Sequence, residues 1–597
     1  MRIGIFFGGQ PREREISFAG GKTVFENISK ALFIPIPIFV DSLGNFILID
    51  NQYLYENSIR DFFPPKSFIE DDTFSVYVES VVGEGINQDQ MIAQIGKQIE
   101  PKDFKKHFDM AFIAMHGPQL EDGAIQGLME WYGIPYTNSG LLGSSVGIDK
   151  IAQNRLIELV GKQGKISYTL TRRHWQSADQ IALFHKLVHE IGLPLVMKAP
   201  HQGSSIGVAI VRENNFHTFK DAVNQCLFIQ RISKLTWLKM DEKEKIDYLQ
   251  KLTNVNEGIG MPVILAAGET IEDEINGHFC YHPQEVKDRL DFHFRFGDDD
   301  ISLISAESET QLLIENFIHG KEFSCGVIQD ENGEPIALPP TEIILMAKTF
   351  DFNSKYQAGG SRKRLPMEAS MSELLDIQAK CKEVFKNLQF KVCTRIDGFL
   401  TPDSRVLLHD PNTIPGMSPT SLVFKQFAEI GLNPTQTITY LLRTSLQARL
   451  ESGKNTHFLW KMLSDLDKKI ENQQLENKNY KKIALIFGGF ANPQESLQKV
   501  RKEYAKVASS ANASPILIYL TGTQEEHIYY IFPFNLLFKE DINEINQYLL
   551  ADKHPLIIET MKNAREITAK YANKILDKGL KISYEDISKI AEETVSV

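Results

Sequence analysis

The chain opens on a short apolar run, Ile3 to Phe7, that stops at Gly8-Gly9. A polar stretch, Gln10-Pro11-Arg12-Glu13-Arg14-Glu15, then leads into helical spacing through about Lys30, and Ile34 to Val40 is apolar again. Strand, glycine turn, helix and strand in that order predict a βαβ unit with a parallel pair. A further strand, Met110 to Met115, ends at His116-Gly117, and parallel sheets carry their chemistry at such carboxyl ends. Strand-like segments recur at Leu193–Lys198, Gly207–Val211, Gln311–Asn316 and Glu322–Ile328. Residues 372–389 have helical spacing, and 392–400 with 405–409 read as paired strands. Between about 228 and 305 the pattern weakens into polar, acidic sequence with scattered aromatics, expected to be a helical insertion. The stretch 462–480 is charged and rich in Asn and Gln, a linker or an exposed helix.

Beyond that stretch the opening pattern returns. Ile483 to Gly489 echoes Ile3 to Gly9, and Ile516 to Leu520 echoes Ile36 to Val40, each pair 480 positions apart. Equal internal spacing points to duplication. The copy has Pro493 where the first unit has Glu13, so it lacks that acid and reads as a degenerate structural or regulatory unit.

With 597 residues the chain is too long for one core and is expected to hold several domains. The pattern divides it into an N-terminal α/β part (1–150), a central part (151–330) carrying the insertion, a third part (331–455) and an extra α/β part (480–597). A hydrophobic content of 42% and a charged content of 24% are those of a soluble globular protein, expected in the cytoplasm, with no span for a membrane and no secretory leader. The net charge of −12 argues against a nucleic-acid binder, which needs a basic face. The five cysteines are scattered, with no metal-binding spacing, and are expected to be reduced.

Two places carry candidate chemistry. Gly203-Ser204-Ser205-Ile206-Gly207 follows Lys198 at a strand end, where glycines let backbone N–H groups approach an anion; the same loop also serves as a tight hairpin. No Walker loop is present, so nucleotide phosphates would need separate lysines, for which Lys150 and Lys198 are placed. The second place is the stretch Arg395 to Ser421. If its two strands pair, Asp397, Asp410 and Asn412 converge as oxygen donors of the kind magnesium prefers, with Arg395 alongside and the turn Pro415-Gly416 just beyond. Two solvated acids on a hairpin would show the same residues.

These segments together resemble the D-alanine–D-alanine ligases of the ATP-grasp superfamily. The resemblance rests on Gly8-Gly9 with Glu13 to Ser17, on His116-Gly117 with Glu121-Asp122-Gly123 and Gln126-Gly127, and on Lys198 with Gly203–Gly207. It rests equally on Asp351 to Tyr356, and on Arg395-Ile-Asp with Asn412-Thr-Ile-Pro-Gly-Met and Ser421, all in the family's order. It implies an ATP-grasp fold behind a βαβ N-terminal domain, and an enzyme joining two D-alanines through an acyl phosphate for peptidoglycan synthesis. It implies that Glu13, with Ser204 and Tyr356, holds the ammonium of the first D-alanine and that His116 lies near its carboxylate. Lys150, Lys198 and Lys355 would meet ATP phosphates, while Glu315, Ile318 and Glu322 would hold the adenosine side. Asp397, Asp410 and Asn412 would bind two Mg2+ ions, or Mn2+ in their place; Ser421 and Leu422 would receive the second D-alanine; Arg395 and the Gly416 N–H would stabilise the tetrahedral intermediate. The presence of Tyr356 favours an amine over D-lactate as nucleophile. Family members are commonly dimers, and this chain is expected to be a monomer or homodimer. Asp410 stands for a usual glutamate, Leu120 for a glycine and Ala199 for a proline, leaving two rival readings. One is an ATP-grasp ligase for other amino acids, and the other a catalytically weak ATP-binding regulatory protein.

Overall fold

A computed structural model describes residues 1–69, 73–82, 87–345, 361–418, 421–572 and 575–597. The first sheet is built from β1 (Arg2–Gly8), β2 (Ile34–Val40), β3 (Phe46–Ile49), β4 (Gly96–Gln98) and β5 (Met110–Ile113). Its order is β4-β3-β2-β1-β5, with β1 parallel to both β2 and β5. Buried on both faces, β1 and β5 are continuous apolar runs rather than alternating ones. The chain leaves β1 through Gly8 (φ 86°), where a Cβ would stand 2.4 Å from the Val40 carbonyl oxygen, so only glycine makes this turn.

Next come β6 (Ser167–Thr171), β7 (Leu195–Lys198) and β8 (Val208–Val211), then β9 (Ile229–Ile232), β10 (Val263–Ala266), β11 (His278–Cys280) and β12 (Ile301–Ser305), and β13 (Gln311–Asn316) returns between β6 and β7. The insertion is therefore no helical excursion. Its strands form an antiparallel sheet of order β11-β10-β12-β9, backed by helices such as Glu242–Leu252 and Pro283–Phe296. Val-Ile-Leu-Ala of β10 and Ile-Ser-Leu-Ile-Ser of β12 are buried throughout, so neither shows the alternation by which a strand is recognised.

The third part is a sheet of β14 (Lys321–Gln329), β15 (Pro335–Ala337), β16 (Thr341–Leu345), β17 (Ser361–Arg364), β18 (Cys393–Leu400) and β19 (Val406–Asn412). Its main path is β17-β16-β14-β18-β19, all antiparallel, backed by the helix Met371–Asn387. Helices Leu422–Glu429 and Pro434–Glu451 follow, then Thr456–Glu476, which buries Leu459, Met462, Leu463, Leu466 and Ile470 along one stripe, as an amphipathic helix must.

The last sheet holds β20 (Lys481–Gly488), β21 (Ala513–Gly522), β22 (His527–Ile531), β23 (Leu580–Ile582) and β24 (Glu593–Ser596), in the order β23-β22-β21-β20-β24. Order and strand directions match the first sheet, β20 lying parallel to β21 and β24. The register matches too: Ile3 faces Pro35 in one and Ile483 faces Pro515 in the other. At Gly488 (φ 100°) a Cβ would again stand 2.4 Å from a carbonyl oxygen, that of Leu520. A single core runs from Phe7 and Phe18 through Phe424, Phe427 and Leu441 to Leu463 and Tyr571, tying first, third and last parts together. All five cysteines are buried and unpaired, and no helix among the described residues is long and apolar enough to cross a membrane.

Candidate active site

The sheets meet around one cleft of about 510 Å3. Its walls carry Glu13, His116, Lys150, Lys198, Ser204, Glu315, Ile318, Glu322, Arg395, Asp397, Asp410, Asn412, Gly416, Ser421 and Leu422, residues that the sequence draws from six separate segments. Lys355 and Tyr356 lie outside the described residues.

At one end, the turn after β1 delivers Glu13 just ahead of the helix Arg14–Asn27. Its carboxyl is buried, 5% exposed; Ser204 Oγ donates to Oε1, while Oε2 has no hydrogen-bond partner. Burial, then the charge of Glu121, pushes its pKa above the ordinary carboxylate value. Ser204 and Ser205 adopt left-handed backbone (φ 52° and 63°), and a Cβ on Gly203 would stand 2.5 Å from Glu13 Oε2, so the loop folds closely over the carboxylate. The two departures in loop sequence sit against glycines: Leu120 packs on Gly9, and Ala199 on Gly207. His116 follows β5 with its backbone N–H on Ser17 Oγ (2.9 Å) and its Nδ1 3.6 Å from Glu121. Burial works to lower the His116 pKa, but Glu121 and then Glu13 outweigh it and hold it above the ordinary value.

The middle is cationic. Lys198, at the end of β7, pairs with Glu315 on adjacent β13 at 2.7 Å, and Lys165 approaches the other Glu315 oxygen at 3.6 Å. Burial would raise the Glu315 pKa, yet Lys198 and Lys165 hold it far below the carboxylate range, so it is a fixed anion. Lys150, first residue of the helix Lys150–Gly161, donates to the Gln202 carbonyl (2.7 Å) and lies 3.1 Å from Asp410.

The far end is the β18–β19 hairpin. Arg395 pairs with Asn412 and Ile396 with Pro411, but Asp397 pairs with His409, so Asp410 is the extra residue of a β-bulge. Its φ of 49° re-aims the side chain, and Asp397, Asp410 and Asn412 thereby line the cleft together. Asp397 accepts from Ser324 Oγ (2.7 Å) and from Arg395 (3.2 Å to each oxygen). Burial would raise the Asp410 pKa; Lys150 and His409 outweigh it and keep Asp410 well below the carboxylate range. Each acid has a cation beside it, Arg395 at Asp397 and Lys150 at Asp410, and with Asn412 they make an oxygen-donor set of the type that holds Mg2+ or Mn2+. Ser421 caps the helix Leu422–Glu429 through the Val423 N–H (3.3 Å) and donates to the Gly416 carbonyl, which ties the two sides of this end of the cleft together.

Several cleft residues are absent from the set read in the sequence. Lys165 and Gln202 stand beside motif residues, His409 stacks half-buried on Phe399, and Lys363, Lys425 and Glu540 wall the end near Ser421. A lone lysine or glutamate in a helix or turn carries no sequence signal until its partner is known.

Comparison with known proteins agrees with this geometry. The family descriptions "D-ala D-ala ligase N-terminus" and "D-ala D-ala ligase C-terminus" match residues 2–139 and 302–443. A D-alanine–D-alanine ligase of Geobacillus thermodenitrificans is 22% identical over 76% of this chain and 98% of its own length. One from Leptospira interrogans is 24% identical over 75% of this chain and 99% of its own. The solved D-alanine–D-alanine ligase of Coxiella burnetii, 20% identical, covers 76% of this chain and 97% of its own, with a TM-score of 0.48. Matched in order around one cleft, residues 2–139 and 302–443 are the N-terminal and C-terminal domains of the D-alanine–D-alanine ligase family.

Proposed function

We propose that this chain joins two D-alanine molecules at the expense of ATP, giving D-alanyl-D-alanine, ADP and phosphate for peptidoglycan synthesis. The observation that carries the reading is Glu13: a buried carboxylate with one oxygen held by Ser204 and the other without a partner, as a substrate ammonium requires. His116 lies beside it for the carboxylate of the same substrate.

A carboxylate is a poor acyl donor because its leaving group would be oxide. Transfer of the ATP γ-phosphoryl group to a carboxylate oxygen of the donor, with loss of ADP, turns that leaving group into phosphate. Lys150 and Lys198 supply positive charge to the phosphates; Glu315, Ile318 and Glu322 take the adenosine side. Asp397, Asp410 and Asn412 would hold two Mg2+ ions, or Mn2+ in their place, which supply charge neutralisation at the phosphates. Ser421 and Leu422 receive the carboxylate of the second D-alanine, whose amine attacks the acyl carbon and sheds its proton as phosphate departs. Arg395 and the Gly416 N–H stabilise the oxyanion formed on the way. Lys355 and Tyr356 belong to the segment expected to cover the phosphates and keep water from the acyl phosphate.

The test is purified protein with ATP, Mg2+ and D-alanine, followed by chromatography of the products. D-Alanyl-D-alanine with stoichiometric ADP is expected. Phosphate release with a different amino acid only would reassign the substrate, and none with any amino acid, despite tight ATP binding, would point to a regulatory protein.

A further inference from the structure

The segment Phe534–Glu540 lies in the last sheet's part of the chain, beyond residue 443, where the match to the family ends. Even so, Glu540 lines the same cleft as Glu13 and Asp397. It does so at the acceptor end, in an ion pair with Lys425. Lys425 is 8% exposed and stands one helical turn after Ser421, its backbone N–H on the Ser421 carbonyl (3.3 Å), so both side chains share a face of that helix.

Glu540 is held in place from several directions. Its backbone N–H donates to Glu544 (2.8 Å), and Arg501 fixes the preceding turn through the carbonyls of Leu537 (2.7 Å) and Lys539. Asn535 donates to Glu429 (3.0 Å), and the neighbouring Lys539 pairs with Glu429 (3.4 Å) and reaches the Leu365 carbonyl (3.3 Å), both sides of these contacts being buried. The last part of the chain thus grips the helix that begins at Ser421 and Leu422 as well as the residue after β17. Among the described residues Glu540 is the carboxylate paired with Lys425; Lys363 and Arg501 add positive charge nearby, while Glu429 and Glu544, which line an adjoining hollow with Lys425, are engaged by Lys539 and by the Glu540 backbone N–H.

We propose that Glu540 is a positioning residue for the acceptor, by which the appended part of the chain completes the active site. It rests on the ligase reading above. The acceptor arrives with a carboxylate that must seat on Ser421 and Leu422 for its amine to reach the acyl carbon. A bare ammonium one turn away would draw that carboxylate off and hold the amine out of line. Glu540 occupies Lys425 and leaves the Ser421 pocket as the preferred seat.

The two halves of the reaction separate the roles. Hydroxylamine attacks the acyl phosphate, releasing phosphate and giving D-alanyl hydroxamate, which reports donor activation without an ordered acceptor. In Glu540→Gln the ratio of dipeptide to hydroxamate should fall about ten-fold, equal to about 1.4 kcal/mol. Adding Lys425→Met to Glu540→Gln should recover most of the ratio, because the misdirecting cation is gone. An unchanged ratio in Glu540→Gln, or a double variant as impaired as the single one, overturns the inference. If Glu540→Gln does not fold, Lys425→Met is compared with Lys425→Met/Glu540→Gln, which must agree within about two-fold; a larger gap means that Glu540 acts on the acceptor without Lys425, and overturns it too. Wild-type protein that forms neither product refutes the ligase reading instead, whereas both products with an insensitive ratio refute this inference alone.

Discussion

Glu13 is a charge placed where its own fold disfavours it. Burial and the neighbouring Glu121 raise its pKa, so the native state takes up a proton at a pH where an unfolded glutamate, near about 4.3, is still ionised. Over that window the folded protein binds more protons than the unfolded chain, and stability falls as pH rises. Glu13→Gln is therefore expected to hold or raise Tm while weakening donor binding by about thirty-fold or more, the loss of a buried charge pair. It should also remove an acidic limb from the pH profile of donor kcat/KM that, in the wild type, lies above the ordinary glutamate range. A scan of hydroxamate formation between mildly acid and neutral pH checks the sign. Asp397→Ala should cost about a thousand-fold in Mg2+-dependent hydroxamate formation, several kcal/mol of charge stabilisation, and unchanged turnover would dismiss the metal assignment. At this scale the residues legible in the sequence are those of short motifs, Glu13, Asp397 and the Ser204 loop, which the fold gathers into one cleft. The sequence was silent on Lys165 and His409, single residues inside apolar or mixed segments whose place is decided by strand register and by partners 150 or more positions away, as for Lys165 with Glu315.

Among the elements, the β18–β19 hairpin shows how a local irregularity makes a site. Alternation from Asp397 and Asn412 would be legible in the pairing of two strands, but the bulge that turns Asp410 toward them depends on a left-handed φ that aspartate tolerates and most residues do not. The insertion shows the opposite case. It reads as featureless sequence because its strands are three to five residues long and the inner ones are buried on both faces. Its job in the structure is mechanical: Arg12, adjacent to Glu13, is buried and donates to the Ile259 carbonyl (2.7 Å), Ser305 Oγ (3.0 Å) and the Val255 carbonyl (3.4 Å), with its guanidinium over the Phe228 ring at 3.8 Å. Burial brings the Arg12 pKa down to about 10, the cost of keeping this cation inside, and it still remains charged at neutral pH. Truncation would orphan those acceptors. Arg12→Ala is expected to lose about 3 kcal/mol of stability in a denaturant titration. Donor binding should weaken more than ATP binding, since the loop it anchors carries Glu13 and none of the lysines. Equal losses for both ligands would show the insertion acting on the whole fold instead.

For the molecule as a whole, the recurrence of one pattern 480 residues apart has a geometric counterpart. The two sheets share strand order, directions, register and the glycine turn after the first strand. The equivalent helices, Arg14–Asn27 and Pro493–Ala508, pack on each other. Lys30 donates its backbone N–H to the Ser509 carbonyl (2.9 Å), and Ser509 is the counterpart of Ser29. A surface that meets its own copy is what a two-fold homodimer presents. Here both halves are supplied by one chain, and the helix Thr456–Glu476 that joins them also packs into the shared core. The two helices cover each other, so neither offers this face to a second chain. Sedimentation across micromolar concentrations should therefore give a single-chain species, unchanged by ATP. A dimer that dissociates on dilution would require a different surface and would separate the repeat from any such role. The same arrangement explains why the copy could lose its acid at Pro493 and keep its fold. Pro493 is the first residue of its helix, where a missing N–H costs nothing. What the last part supplies is packing against the first helix and the arm that carries Glu540 to the cleft, so a unit with Pro493 in the place of Glu13 still brings a carboxylate beside Lys425.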